Sequence, residues 1–252
     1  MANVKPVFPP RIPCIRCPLR RLDTFRDFSP PELEFVQDFK VAELVANPGT
    51  SVVVEGERHP QLYTLLSGWG FRYKILEDGR RQILNYVLPG DLIGLQGNIM
   101  LEMQHSVEAL TKMTLCVFER ERLMTLYQHH PSLAYDITWL AAREESMLDE
   151  HLLSIGRRSA LERAAYLLIF LYSRAIGTGS LSQRQNAPLP LTQQHVADTL
   201  GLSLVHTNKT LRKVAALGLI RWLDRGCEIL DPPGLQNIAQ WRPPAESKRP
   251  FI

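Results

Sequence analysis

The stretch that most restricts the fold is "PSLAYDITWLAAREESMLDEHLLSIG", residues 131–156. It follows a proline and runs for about 25 residues without an interior breaker, which predicts one long helix. Leu133, Ile137, Leu140, Met147 and Leu148 fall at helical spacing. A second seam, Ala134, Ala141, Leu148 and Ile155, recurs every seven residues. A helix of this length in a chain of 252 residues packs against a partner, and a second copy of the chain is the simplest one. The expected dimer interface is Ile137, Leu140, Ala141, Met147, Leu148 and Ile155. Glu144 and His151 interrupt the first seam, either as rim positions or as polar residues that set register.

The texture on either side of this helix differs. Residues 1–13 carry four prolines and read as a disordered arm. Ser29 suits a helix N-cap, prolines occupy the first turn and Glu32 follows three residues on, so a helix starts at 30. From about 44 to 120, short β-branched and aromatic runs alternate with turns at Asn47-Pro48-Gly49, Asp78-Gly79 and Pro89-Gly90-Asp91. That pattern predicts an antiparallel β-roll or sandwich. Beyond the long helix, residues 159–176 are apolar on most sides and predict a buried helix. "GTGSLSQRQNAPLP" is a loop, and "LIRWLDRGCEILD" reads as two strands about a tight turn at Asp224-Arg225-Gly226. The tail "RPPAESKRPFI" reads as disordered.

Composition restricts function less than pattern does. Lys and Arg number 29 against 26 acidic residues, so any basic surface must be local. No apolar run reaches the roughly 18 residues of a membrane span. The N-terminus lacks an apolar signal core, so a cytoplasmic protein without a membrane partner is expected. Four cysteines, Cys14, Cys17, Cys116 and Cys227, are too few for a disulfide scaffold.

Residues 191–220, "LTQQHVADTLGLSLVHTNKTLRKVAALGLI", predict two short helices joined by glycine. Thr192 caps the first, whose inner face is Val196, Ala197 and Leu200. Gly201 supplies a turn with positive φ. Ser203 caps the second helix and leaves amides suited to a phosphate. Leu204, Thr207, Leu211 and Val214 are expected to face inward. Val205, Asn208, Lys209 and Arg212 share the opposite face, flanked by His206 and Lys213. An amide, positive charge and a small apolar group are what base edges and phosphates require. The bland reading is a helical hairpin with a solvated basic face; the wing-like strands and the long helix favour DNA.

The order of roll, long helix and winged helix-turn-helix resembles the Crp/Fnr superfamily of bacterial transcription regulators. "VLPGDLIG" at 87–94 resembles the family's roll glycine motif, and residues 200–220 its recognition segment. The resemblance implies an α+β chain in five parts. These are an N-terminal arm with Cys-x-x-Cys (1–28), a cyclic-nucleotide-binding-like β-roll (29–128), a dimerisation helix (129–156), a winged helix-turn-helix (157–232) and a C-terminal tail (233–252). It implies a regulator that binds double-stranded DNA as a homodimer on an inverted repeat, works with RNA polymerase and is controlled through the roll. DNA-binding positions are Thr192, Ser203, Val205, His206, Asn208, Lys209 and Arg212. Where many members carry a glutamate and an arginine on the recognition helix, this chain has Val205 and Lys209, so its operator should differ.

The signal is less determined. At the family's cyclic-nucleotide positions the ribose glutamate is Leu95, and the Arg-Ser pair is His105-Ser106, which argues against cyclic AMP. Oxygen-sensing members hold an iron–sulfur cluster on cysteines. "CIRCPLRRLD" matches with Cys14 and Cys17, Asp23 stands at the third cysteine position, and Cys116 matches the roll cysteine. A cluster on these four residues, redox-active thiols with pKa values lowered by Arg16, Arg20 and Arg21, and cysteines that only pack remain three readings. Cys227 reads as structural. A metalloenzyme on a cupin-like roll would need converging histidines, but His59 and His105 stand alone, so no enzyme is expected. The alternative to a DNA reader is a ligand- or redox-sensing dimeric module that docks a protein partner.

Overall fold

The computed structural model describes residues 12–181, 187–244 and 248–252, so the disorder expected over residues 1–11 lies outside the described residues. Two compact units emerge, one of residues 12–72, 87–144 and 248–252, the other of residues 73–86 and 145–244.

The first unit opens with two short 3-10 turns, Cys14–Arg16 and Pro18–Arg21. Helix α1 (Pro30–Phe39) begins as the sequence predicts: Ser29 N donates to Glu32 Oε2 at 2.7 Å, half of a capping box. Along the chain the strands are β1 (Lys40–Ala46), β2 (Ser51–Val53), β3 (Gln61–Ser67), β4 (Gly70–Ile75), β5 (Arg81–Val87) and β6 (Leu92–Ile93), with residues 73–86 of β4 and β5 counted in the second unit. After helix α2 (Leu95–Met100) come β7 (Ser106–Ala109) and β8 (Met113–Glu119). They form two four-stranded sheets, ordered β1-β8-β3-β6 and β2-β7-β4-β5, which is the expected antiparallel roll. Helices α3 (Leu123–His129) and α4 (Pro131–Arg157) complete the run.

Strand alternation explains what lies on each face of β8. Met113, Leu115 and Val117 join Val53, Tyr63 and Ile93 in one core. Cys116 and Phe118 point the other way, into a second core with Cys14, Cys17, Phe39, Leu133, Ile137 and Leu140. Residues 14–28 are therefore packed against this core rather than forming a free arm. Leu19, Phe25 and Phe28 are buried, and Arg26 forms ion pairs with Glu32 and Asp136.

In the second unit, α5 (Ala160–Gly177) is buried along most of its length, as its apolar composition demands. Around it lie α6 (Gln193–Leu200), α7 (Leu204–Ala216), the hairpin β9 (Ile220–Leu223) and β10 (Gly226–Ile229), and α8 (Pro232–Ala239). Helix α8 occupies the start of what the sequence suggested was tail. Pro232 and Pro233 look like breakers, but the first helical turn tolerates proline, and Asp231 caps it through Gly234 N at 3.0 Å. Gly226, at φ +134°, lies so near Leu189 that a Cβ would sit 2.0 Å from its carbonyl oxygen. That approach lets Leu189 and Cys227 exchange backbone hydrogen bonds at 2.8 and 3.0 Å, and Cys227 is fully buried.

His151 is enclosed rather than at a rim. Its ring nitrogens meet Tyr166 Oη at 3.1 Å and Asn85 Oδ1 at 3.3 Å. Burial first, then the charges of Arg174 and Arg158, push its pKa down to about 4. The folded chain thus resists a proton that the unfolded chain takes up near 6.5. Stability from neutral His151 is whole above pH 6.5 and is lost progressively as the pH falls toward 4. We expect urea unfolding to show a loss of about 2 kcal/mol between pH 7.5 and 5. His151→Gln should remove most of that slope; an unchanged slope in the variant would contradict the assignment.

Candidate nucleic-acid interface

The α6–turn–α7 pair is built by local chemistry. Thr192 Oγ1 accepts from His195 N at 3.1 Å and caps α6. Gly201 takes φ +63°, the left-handed conformation that ends α6. Ser203 Oγ accepts from His206 N at 3.3 Å and caps α7. Thr207, Thr210, Leu211 and Val214 are buried, which fixes the inner face of α7. Leu204, expected inside, is 42% exposed, because a residue in the first turn overhangs the core.

The outward stripe of α7 carries Val205, His206, Lys209, Arg212 and Lys213, all exposed. Asn208, expected among them, is half-buried at the stripe's edge, with its Oδ1 enclosed. The single acidic residue of 191–220 is Asp198, and it pairs with Arg81 at 2.8 Å. The face is therefore positive although the whole chain carries only +3. On the wing, Arg221 is largely exposed and pairs with Glu228 at 2.6 Å, while Arg225 sits exposed at the turn.

Two family models match the chain: the cyclic nucleotide-binding domain over residues 43–130 and the Crp-like helix-turn-helix domain over residues 162–238. The nitrogen fixation regulation protein FixK of Bradyrhizobium diazoefficiens is 33% identical over 76% of this chain and 79% of its own length. The chain belongs to the Crp/Fnr family. As a Crp/Fnr protein with this helix-turn-helix it is a DNA-binding transcription regulator. The transcriptional activatory protein AadR of Rhodopseudomonas palustris is 29% identical over 88% of this chain and 91% of its own. The solved structure of FixK2 from Bradyrhizobium japonicum superposes with a TM-score of 0.69 at 25% identity, over 80% of this chain and 98% of that one. A regulator of the same family from Thermus thermophilus, TTHB099, shares the fold with a TM-score of 0.67 at 23% identity, over 78% and 96%.

Neither a cyclic nucleotide nor an iron–sulfur cluster finds its usual donor set among the expected residues. At the cyclic-nucleotide positions, His105 and Ser106 are buried, Ser106 Oγ accepts from Glu55 N at 3.0 Å, and Leu95 supplies no acceptor. There is no guanidinium fork for a cyclic phosphate at this pair. Cys14, Cys17 and Cys116 line one cavity of about 20 Å³, and Asp23 is exposed at the surface. Such a cavity holds about one water molecule. With Asp23 at the surface, the three thiols fall one short of the four that usually hold an iron–sulfur cluster. Among the described residues no three His, Cys, Asp or Glu side chains are grouped to hold a metal ion.

The thiols also differ from the expectation that arginines would activate them. Burial raises Cys17 and pushes Cys116 up to about 12. Lys40, buried with its partner Glu43, opposes both shifts without overcoming them. Cys17 and Cys116 are therefore protonated at neutral pH and inert while covered.

Helix α4 divides the residues of the expected dimer seam between the chain's own core and its surface. Ile137 and Leu140 belong to their own chain's core, and Met147 is 8% exposed, with Asn85 Nδ2 3.7 Å from its sulfur. Glu144 pairs with Arg72 at 3.1 Å. The apolar residues left outside are Leu148 (41% exposed), Leu152 (72%), Leu153 and Ile155, with Ala141 one heptad before Leu148. Leu152 was missed by the sequence reading. It lies four residues after Leu148 and three before Ile155, which is a heptad signal in its own right.

Proposed function

We propose that two copies of this chain pair along α4 and lay their two α7 helices in the major groove of an inverted repeat, half-sites about 34 Å apart. The observation that carries this reading is the exposed stripe of α7, capped at its entry by Ser203, basic, and backed by a buried face. Leu148, Leu152 and Ile155 support the pairing. With Ile83, Tyr166 and Leu167 they line an apolar groove of about 170 Å³, a seat of the kind a partner helix fills. Val205 and Lys209 read bases, Arg212 and the amides at Ser203 hold phosphates, and Asn208 assists from the edge. The signal enters through the roll, and the dimer acts with RNA polymerase in the cytoplasm rather than as an enzyme. Among the described residues no helix is long and apolar enough to cross a membrane.

Arg212→Ala tests the phosphate role. It should weaken binding to all duplexes alike and reduce the dependence of log K on log salt by about one contact. Weaker binding to one sequence only, with an unchanged salt slope, would place Arg212 on a base instead.

A further inference from the structure

The segment Lys248–Ile252 lies in the first unit, over the three thiols. Its backbone pairs with the residues before α1: Arg249 N donates to Thr24 O at 2.8 Å, and Arg26 N donates to Arg249 O at 2.9 Å. The result is one parallel bridge between Phe25 and Arg249. Arg249 is 5% exposed, with Nη2 3.1 Å from Asp91 Oδ1 and 3.2 Å from Pro89 O. Its guanidinium lies 4.8 Å from the Phe25 ring centre. Gly90 makes this approach possible. A Cβ there would stand 2.4 Å from the Phe25 ring and 2.6 Å from Arg249 Nη2. Phe251 meets Phe25 at 5.0 Å and Phe28 at 4.9 Å between ring centres. Phe251 and Ile252 then close the small cavity lined by Cys14, Cys17 and Cys116.

We propose that residues 248–252 are a docked peptide, held reversibly in a groove that recognises an arginine followed by apolar side chains, and that this peptide gates access to Cys14, Cys17 and Cys116. The recognition is of the strand-addition type, with main-chain bonds for affinity and side-chain pockets for selectivity. Arg249 is the selective element, since Asp91 and the Pro89 carbonyl face its fork and the Phe25 ring covers it. The segment belongs to no helix and to neither sheet, and a single bridge holds its backbone. It can leave without opening the ladder that carries Cys116, whose partners on β1 and β3 are Glu43 and Thr64. Its departure removes two of the apolar side chains that line the cysteine cavity and opens the thiols to solvent and to electrophiles. The proposal stands independently of DNA reading.

Residue-resolved labelling with N-ethylmaleimide tests it, in the full chain and in a chain ending at Ser247. The shortened chain should label at Cys14 and Cys17 at least ten-fold faster, with its circular dichroism unchanged. Adding the synthetic peptide Lys-Arg-Pro-Phe-Ile should restore protection, and the same peptide with alanine for arginine and phenylalanine should not. The double variant Arg249→Ala/Phe251→Ala of the full chain should label as fast as the shortened chain. Cys227, buried in the other unit, should stay unlabelled throughout. Equal rates in full and shortened chains would overturn the proposal, and so would protection that the peptide cannot restore. Loss of fold in both altered chains would also overturn it, because the segment would then be core and not a docked peptide.

Discussion

Leu148→Asp combined with Leu152→Asp is expected to turn the dimer into a folded monomer. Both side chains are substantially exposed in the single chain, so their replacement costs a monomer little. In a paired helix seam each leucine contributes about 1.5–3 kcal/mol by burial, and the two copies bring four. A loss of roughly 6 kcal/mol or more lowers association by at least about 10⁴-fold. The four carboxylates would moreover face each other without partners. Light scattering should report the monomer mass while the melting temperature stays within a few degrees. A dimer that persists would move the interface off this stripe. Ile137→Asp serves as the contrast: it places a charge in the chain's own core and should unfold the first unit rather than separate copies.

The second large effect is expected on the recognition helix. Val205 is 66% exposed on the first turn of α7, where a side chain reaches base edges. As valine it can contact a thymine methyl but accept no hydrogen bond. Val205→Glu supplies an acceptor for a cytosine amino group and should shift the preferred base pair at one position per half-site. The shift should amount to about 1–3 kcal/mol, or roughly 5- to 150-fold in competition between duplexes differing at that pair. Lys209→Ala should relax the preference at a neighbouring position by a similar amount. Competition binding of duplexes varied one pair at a time measures both, and an unaltered preference in both variants would take base reading away from this face.

What could be read from sequence was what is decided locally. The Ser29–Glu32 box, the Thr192 and Ser203 caps and the Gly201 turn lie within three or four residues of what they control, and each appears where expected. The two strands at 220–229 followed from the tight turn read at Asp224-Arg225-Gly226, of which Gly226 already pairs with Leu223. What escaped depends on contacts distant in sequence. Both seams of α4 have similar composition, and only the surrounding core decides that Ile137 turns in while Leu148 and Leu152 turn out. Arg249, Phe251 and Ile252 looked like a polar, proline-bearing tail because their partners, Asp91, Phe25 and Phe28, lie at the other end of the chain. The arginine neighbours of Cys17 suggested activation, whereas burial dominates the Cys17 and Cys116 thiols.

Selection of bound duplexes from a random DNA pool tests the central claim most directly. The unaltered chain should enrich an inverted repeat whose half-site centres are about one helical turn apart. The Val205→Glu chain should enrich the same repeat with one base pair per half-site changed. A pool that shows no enriched repeat, or an identical repeat from both chains, would contradict α7 as the element that reads DNA.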